Sequence, residues 1–152
     1  MTSQTLREAR KYEETVEKSI AREERPDFHL CSRVGWMNDP NGFSYHNGMY
    51  HMFYQYYPYE SKWGPMHWGH AVSRDLLHWE HLPAALAPDE SYDRDGCFSG
   101  SALTLPDGRQ LLMYTSVVKE RQENDTIRDI QTQSLAIGDG IDYEKYEKKS
   151  CT

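Results

Sequence analysis

The chain has 152 residues, 17 lysines and arginines against 24 aspartates and glutamates, and a net charge of -7. That length supports one ordinary domain with a real core, and the acidic balance, without a basic cluster, excludes a surface that neutralises nucleic-acid phosphates. No stretch approaches the roughly twenty apolar residues that span a bilayer, so no membrane partner is expected.

The first thirty residues carry charges throughout and no apolar run, so they read as neither a signal nor a transit peptide, and a cytoplasmic location is expected. Thr5 to Glu24 place Leu6, Ala9, Val16 and Ile20 near one face of a charged helix, which Arg25-Pro26 stops. Residues 1–27 are thus expected to form a helical extension. From Arg33 onward short apolar runs alternate with turn signals, the pattern of an all-β domain, here residues 28–152.

Asn47-Gly48, between "FSYH" and "MYHMFYQY", is a two-residue hairpin signal, because both central positions must take positive φ. Further strands are expected at "MHWGHAVS", "HWEHLP", "CFSGSALTL", "RQLLMYTSVV" and "IQTQSLAI", with turns at Pro106-Asp107-Gly108 and Gly138-Asp139-Gly140. In "MYHMFYQY" both alternating sets of side chains are largely apolar or aromatic, so that strand should be covered on both faces. Four tryptophans and eleven tyrosines, concentrated between Phe28 and Tyr92, make the middle of the chain either a core or a ligand platform.

The stretch "VGWMNDPNGFSYHNGMYHMFYQYYP" begins at Val34 and raises a chemical possibility. Pro40 disfavours the helical region for Asp39 and suits the second position of a β-turn that Asn41 and Gly42 complete. Asp39 is therefore expected to be extended at the mouth of a tight turn. An aspartate there can simply cap its own turn. Its company argues for more: Trp36 and Asn38 precede it, Gln55 follows in the hairpin, and "KWGPMHWGH" supplies Trp63 and Trp68. Aromatic faces, amides and one fixed carboxylate are what a sugar ring needs.

The blocks "WMNDPNG", "YHMFYQYYP", "WGPMHWGHAVSRDLLHWEHLPAAL" and "FSGSA", in that order, resemble glycoside hydrolase family 32, the β-fructofuranosidases that include invertase and sucrose-6-phosphate hydrolase. The likeness covers about Phe28 to Tyr146. It implies a five-bladed β-propeller with its site in a central funnel, followed by a β-sandwich. It also implies that Asp39 is the nucleophile and that Asn38, Gln55, Trp63, Phe98 and Ser99 line the fructosyl subsite; Trp36 is counted with them as substrate-binding. A retaining glycosidase attacks the anomeric carbon from one side while an acid protonates the leaving oxygen, with the two carboxyl groups about 5 to 5.5 Å apart. A fixed nucleophile gains from near-attack positioning. Trp63 can stack on the ring or merely pack.

The family implies two further motifs, Arg-Asp-Pro and Glu-Cys, the second carrying the general acid, and this sequence has neither. Arg74-Asp75, Arg94-Asp95 and Arg128-Asp129 lack the proline, and Asp75 matches a structural turn of the family. The expectation is therefore about two blades of five: an N-terminal fragment of a retaining hydrolase acting on sucrose, sucrose 6-phosphate or short fructans. The alternative is a catalytically inactive carbohydrate-binding or assembly fragment. Either leaves an open propeller edge, through which the chain should self-associate or meet a complementing C-terminal chain.

No cofactor and no metal are expected. His67-x-x-His70 and His78-x-x-His81 have ligand-like spacing, yet on strands positions three apart point to opposite faces. Cys31, Cys97 and Cys151 are odd in number and far apart, and read as free thiols. Asp89, Glu90, Asp93 and Asp95 read as a solvated acidic loop, or as a rim for the leaving group.

Overall fold

A computed structural model describes residues 2–151. Helix α1, Gln4–Glu17, opens on Ser3, whose hydroxyl accepts the Leu6 amide and satisfies one free N–H of the first turn. The helix ends at Lys18, short of the expected Glu24. There Ser19 turns its hydroxyl back onto the Val16 carbonyl, which also takes the Ser19 amide, and this local competition closes the helix. A single 3₁₀ turn, Arg22–Glu24, follows before Pro26.

Eight strands form the rest: β1 Trp36–His46, β2 Met49–Tyr57, β3 His67–Ser73, β4 Glu80–Leu86, β5 Gly96–Thr104, β6 Gln110–Arg121, β7 Ile127–Gly138 and β8 Tyr146–Ser150. They make two four-stranded antiparallel sheets, in the orders β1-β2-β3-β4 and β5-β6-β7-β8. Each is a meander of sequence neighbours, the build of a propeller blade. Asn47 and Gly48 both have positive φ, 48° and 79°, and close the β1–β2 hairpin as the sequence predicts. β8 is an addition to the expected strands. Its sequence, "YEKKS", carries almost no apolar signal, and pairing with Ser134–Gly138 holds it in place.

β2 is covered on both faces. Phe53 joins Trp68, Leu86, Leu112 and Tyr114 in a core between the two sheets, while Tyr54 and Tyr56 join Leu6, Val34, Ala71 and Ala84 beneath α1. The helix also closes the outer edge of the first blade. The Arg10 guanidinium donates to the Ala84 carbonyl, and the Glu13 carboxylate accepts the Ala84 amide at 3.0 Å, so helix side chains satisfy an edge-strand residue that has no further strand beside it. Glu13 is buried and paired with Arg33 at 3.1 Å; burial raises its carboxyl above the ordinary range, against the opposing pull of the Ala84 amide and Arg33.

The two blades are pinned together at both ends of their seam. At one end Gln55 and Trp68 of the first blade donate to the carbonyls of Cys97 and Phe98 at 2.9 and 3.1 Å. At the other, His46 Nε2 lies 2.9 Å from the Gly108 carbonyl and its Nδ1 3.0 Å from the Tyr143 hydroxyl, and Asn47 donates to the Gly140 carbonyl.

The acidic stretch after Pro88 departs from expectation in two of its residues, while Glu90 is exposed as expected. Asp89 and Asp93 are buried, not solvated, and the Lys148 ammonium sits 2.6 Å from each carboxylate. Asp93 also accepts the Tyr114 hydroxyl at 2.7 Å. The unforeseen strand β8 explains the difference, because it delivers the lysine. Among the described residues no helix is long and apolar enough to cross a membrane.

Candidate active site

β1 does not reverse at Pro40. The strand runs straight through "NDPNG", and its pairing with β2 slips between Met37 and Pro40 and again between Asn41 and Ser44. The expected β-turn is thus a double bulge. The residues that signal a turn serve a bulge equally well: Pro40 has no N–H to give the ladder, and Gly42 takes a φ of 50°. Gly42 is also clamped, since a Cβ there would come within 3.0 Å of both Ala102 and Phe53. The carboxylate of Asp39 therefore sits on a kinked strand fixed on both sides.

β1 lies beside β5, the first strand of the second blade. The Asp39 carboxylate accepts the Ser99 hydroxyl across this junction at 2.7 Å. A cavity of about 280 Å³ opens beside the pair, and Asn38, Gln55, Trp63 and Phe98 line it with them. The structure thus brings together six of the seven residues singled out in the sequence. Trp36 is the seventh; its indole N–H donates to the Asn38 side-chain oxygen at 2.8 Å, and it lies outside the lining.

The neighbours of these side chains explain their placement. Gln55 is buried, and its bond to the Cys97 carbonyl fixes the amide plane. That bond and the Trp68 bond hold the backbone leading into Ser99. Gly100 then lets β5 pass close to β6, because a Cβ there would meet the Met113 carbonyl oxygen at 1.9 Å. Trp63 is 47% exposed and meets Phe98 edge-on, with ring centroids 6.1 Å apart. The Trp63 ring is thus half exposed at the cavity.

Two more residues, Thr115 and Gln131, complete the lining, and Lys119 places its ammonium 5.3 Å from the centroid of Trp63. No motif marks them, since hydroxyl, amide and ammonium groups on an amphipathic strand look like any solvent face. Among the described residues Asp39 is the one carboxylate in this lining. A larger cavity, about 550 Å³, lies elsewhere, with Asp89, Glu90 and Lys148 in its wall. Asp89 and Glu90 therefore face a cavity other than that of Asp39.

The other candidates resolve locally. Asp75 accepts the amides of Leu77 and His78 and sits 2.7 Å from the His78 ring, contacts that hold its carboxyl well below the usual carboxylate range. It is a turn cap. His70 stacks on Phe53 and sits 3.0 Å from His51, whereas His67 lies 2.9 Å from the Pro65 carbonyl. Burial pushes the imidazoles of His51 and His67 down to about 4, and that of His70 well below 6.5. Among the described residues no three His, Cys, Asp or Glu side chains are grouped to hold a metal, and the three cysteines are free.

Against known proteins, the sequence model of the Glycosyl hydrolases family 32 N-terminal domain matches residues 29–152. The chain belongs to glycosyl hydrolase family 32. It is 54% identical over 121 residues to a sucrose-6-phosphate hydrolase of Zymomonas mobilis, which covers 79% of this chain and 23% of that protein. It is 50% identical over 128 residues to a raffinose invertase of Escherichia coli, covering 83% and 26%. The chain thus spans about a quarter of the length of the curated relatives it matches. A mutant of the Bombyx mori GH32 beta-fructofuranosidase, solved in complex with sucrose, superposes with a TM-score of 0.83 at 41% identity, over 100% of this chain and 31% of that one. The family 32 fold fits the two meandering sheets as blades of a β-propeller, and the family is one of glycosidases.

Proposed function

We propose that this chain carries the nucleophile and one wall of the fructosyl subsite of a retaining glycoside hydrolase acting on sucrose, sucrose 6-phosphate or short fructans. One observation carries the reading: the Asp39 carboxylate, aligned by Ser99 at 2.7 Å, in a cavity lined by Asn38, Gln55, Trp63 and Phe98. Asp39 attacks the anomeric carbon of the fructosyl ring, and the leaving oxygen departs with a proton from an acid on the opposite side. Asn38 and Gln55 orient the ring hydroxyls through amide hydrogen bonds. Trp63 and Phe98 cover its apolar face.

Among the described residues no second carboxylate lines the cavity. We therefore read the 152 residues as the N-terminal part of a larger catalytic unit, and the isolated chain as turning over sucrose at close to background. General-acid catalysis supplies about 10² to 10⁴-fold, and the described lining offers no carboxyl group besides Asp39 to supply it. The same observation favours a second reading, a carbohydrate-binding piece without turnover. Exposed Phe43 and Tyr45 on one blade, and Leu103 and Met113 on the other, support association of the chain with itself or with a chain bearing further blades.

Fructosyl fluoride separates the two readings, because fluoride departs without a proton donor. Release of fluoride by the pure chain, lost in Asp39→Ala, is the expected result. Equal release by the variant overturns the nucleophile assignment, and no release by either leaves the binding piece.

A further inference from the structure

We propose that Lys119 is the residue through which this site recognises a phosphate monoester on the leaving sugar, with Gln131 and Thr115 as its neutral partners. The inference rests on the reading of the Asp39 cavity as a fructosyl site. If the first blade and the Phe98-Ser99 segment hold the fructosyl ring, the remaining lining residues, from β6 and β7, face what departs. Thr115 and Lys119 are four residues apart on one strand and share a face, and Gln131 pairs with Val117 between them.

The described lining of the cavity carries a single charge, the Asp39 carboxylate, and Lys119 places its ammonium 5.3 Å from the ring centroid of Trp63, one of the lining residues. Its ammonium makes no ion pair among the described residues. Asp95 is engaged elsewhere, accepting the Lys119 backbone amide at 2.7 Å and facing the Arg94 guanidinium at 3.5 Å. Asp129 lies directly opposite in the β6–β7 ladder and is exposed, yet the ammonium rests on Trp63 instead. A half-buried cation placed on an aromatic face inside an acidic chain is available to a ligand.

A phosphate monoester carries about -1.5 to -2 charge at pH 7 and would be repelled by the nucleophile unless a cation offset it. Charge-assisted hydrogen bonds are roughly twice as strong as neutral ones. The flexible lysine stem lets the ammonium leave Trp63 and meet the ester, while Gln131 and Thr115 serve its remaining oxygens. A neutral leaving sugar gives that ammonium much less to do.

The test titrates the isotope-labelled chain with sucrose and with sucrose 6-phosphate, following backbone amide spectra, and repeats both with Lys119→Met and Lys119→Arg. Both sugars should perturb Asn38, Gln55 and Ser99, and the phosphate ester should bind about tenfold more tightly. Lys119→Met keeps an apolar side chain of similar length and should erase that preference while leaving sucrose affinity unchanged; Lys119→Arg should retain it. Equal affinities in the native chain overturn the proposal and leave the fructosyl reading standing. A Lys119→Met chain that loses affinity for both sugars alike also overturns it, since Lys119 would then act only by holding Trp63. If neither sugar perturbs the Asp39 cavity, the fructosyl reading falls and the proposal with it.

Discussion

Acidification should unfold this chain earlier than its carboxylates require. His51 and His67 are buried, and their imidazoles protonate only near about 4, against 6.5 when solvated. As pH falls below 6.5 the unfolded chain binds protons that these two folded-state imidazoles refuse, so the stability they contribute falls with pH and levels off below about 4, while the more deeply depressed His70 acts in the same direction. At pH 5 the loss is about 2 kcal/mol for each histidine, and about 4 kcal/mol for the two. That is a large part of the roughly 5 to 15 kcal/mol that holds a domain folded. The raised carboxyl of Glu13 works in the opposite direction, because the folded state takes its proton first. The depressed carboxyl of Asp75 loses its contribution only below the ordinary aspartate value of 3.8, outside this window. Urea titrations followed by tryptophan fluorescence at pH 7.5, 6.5, 5.5 and 5.0 should show the midpoint dropping steadily. A midpoint unchanged from pH 7.5 to 5.0 would refute the argument that these imidazoles are held neutral.

Three further outcomes are expected. Asp39→Ala should change stability by less than about 1 kcal/mol in the same urea titration, since it removes one exposed hydrogen bond to Ser99, while abolishing fluoride release from fructosyl fluoride. Lys148→Met should cost about 3 to 5 kcal/mol, because Asp89 and Asp93 are left buried and facing each other without their cation; an unchanged melting midpoint would show that the ion cluster is incidental. Gly100→Ala should cost about 3 kcal/mol or more and weaken sugar binding as well, since the added methyl collides with the Met113 carbonyl and displaces the strand carrying Ser99.

The strands that show clearly in the sequence are those with a physical reason to show. Asn47-Gly48 needs two positive φ values, and "MYHMFYQY" needs apolar side chains on both faces because two cores meet there. "YEKKS" hides β8, since an outer strand held by ladder pairing needs no apolar face; with it Lys148 was hidden, and so was the burial of the Asp89 and Asp93 side chains. "NDPNG" shows that a proline and a positive-φ glycine mark a departure from regular pairing without saying whether the chain reverses or bulges. Asn38, Asp39, Gln55 and Trp63 were legible because they cluster near one turn-like signal. Thr115, Gln131 and Lys119 were not, because their role depends on how the second blade docks against the first.

The pinning of the seam at both ends bears on how fast a ligand can be taken up. With Gln55 and Trp68 fastened to β5 at one end and His46 and Asn47 fastened to blade-two turns at the other, neither sheet has a free end about which to swing. Slow domain-scale closure, on microsecond to millisecond timescales, has no hinge here. The parts free to adjust are the half-exposed side chains at the cavity mouth, Trp63 and Lys119, which reorient in picoseconds to nanoseconds. Association between this chain and a small sugar should therefore follow a single exponential whose rate rises linearly with sugar concentration, without the plateau that a conformational gate imposes.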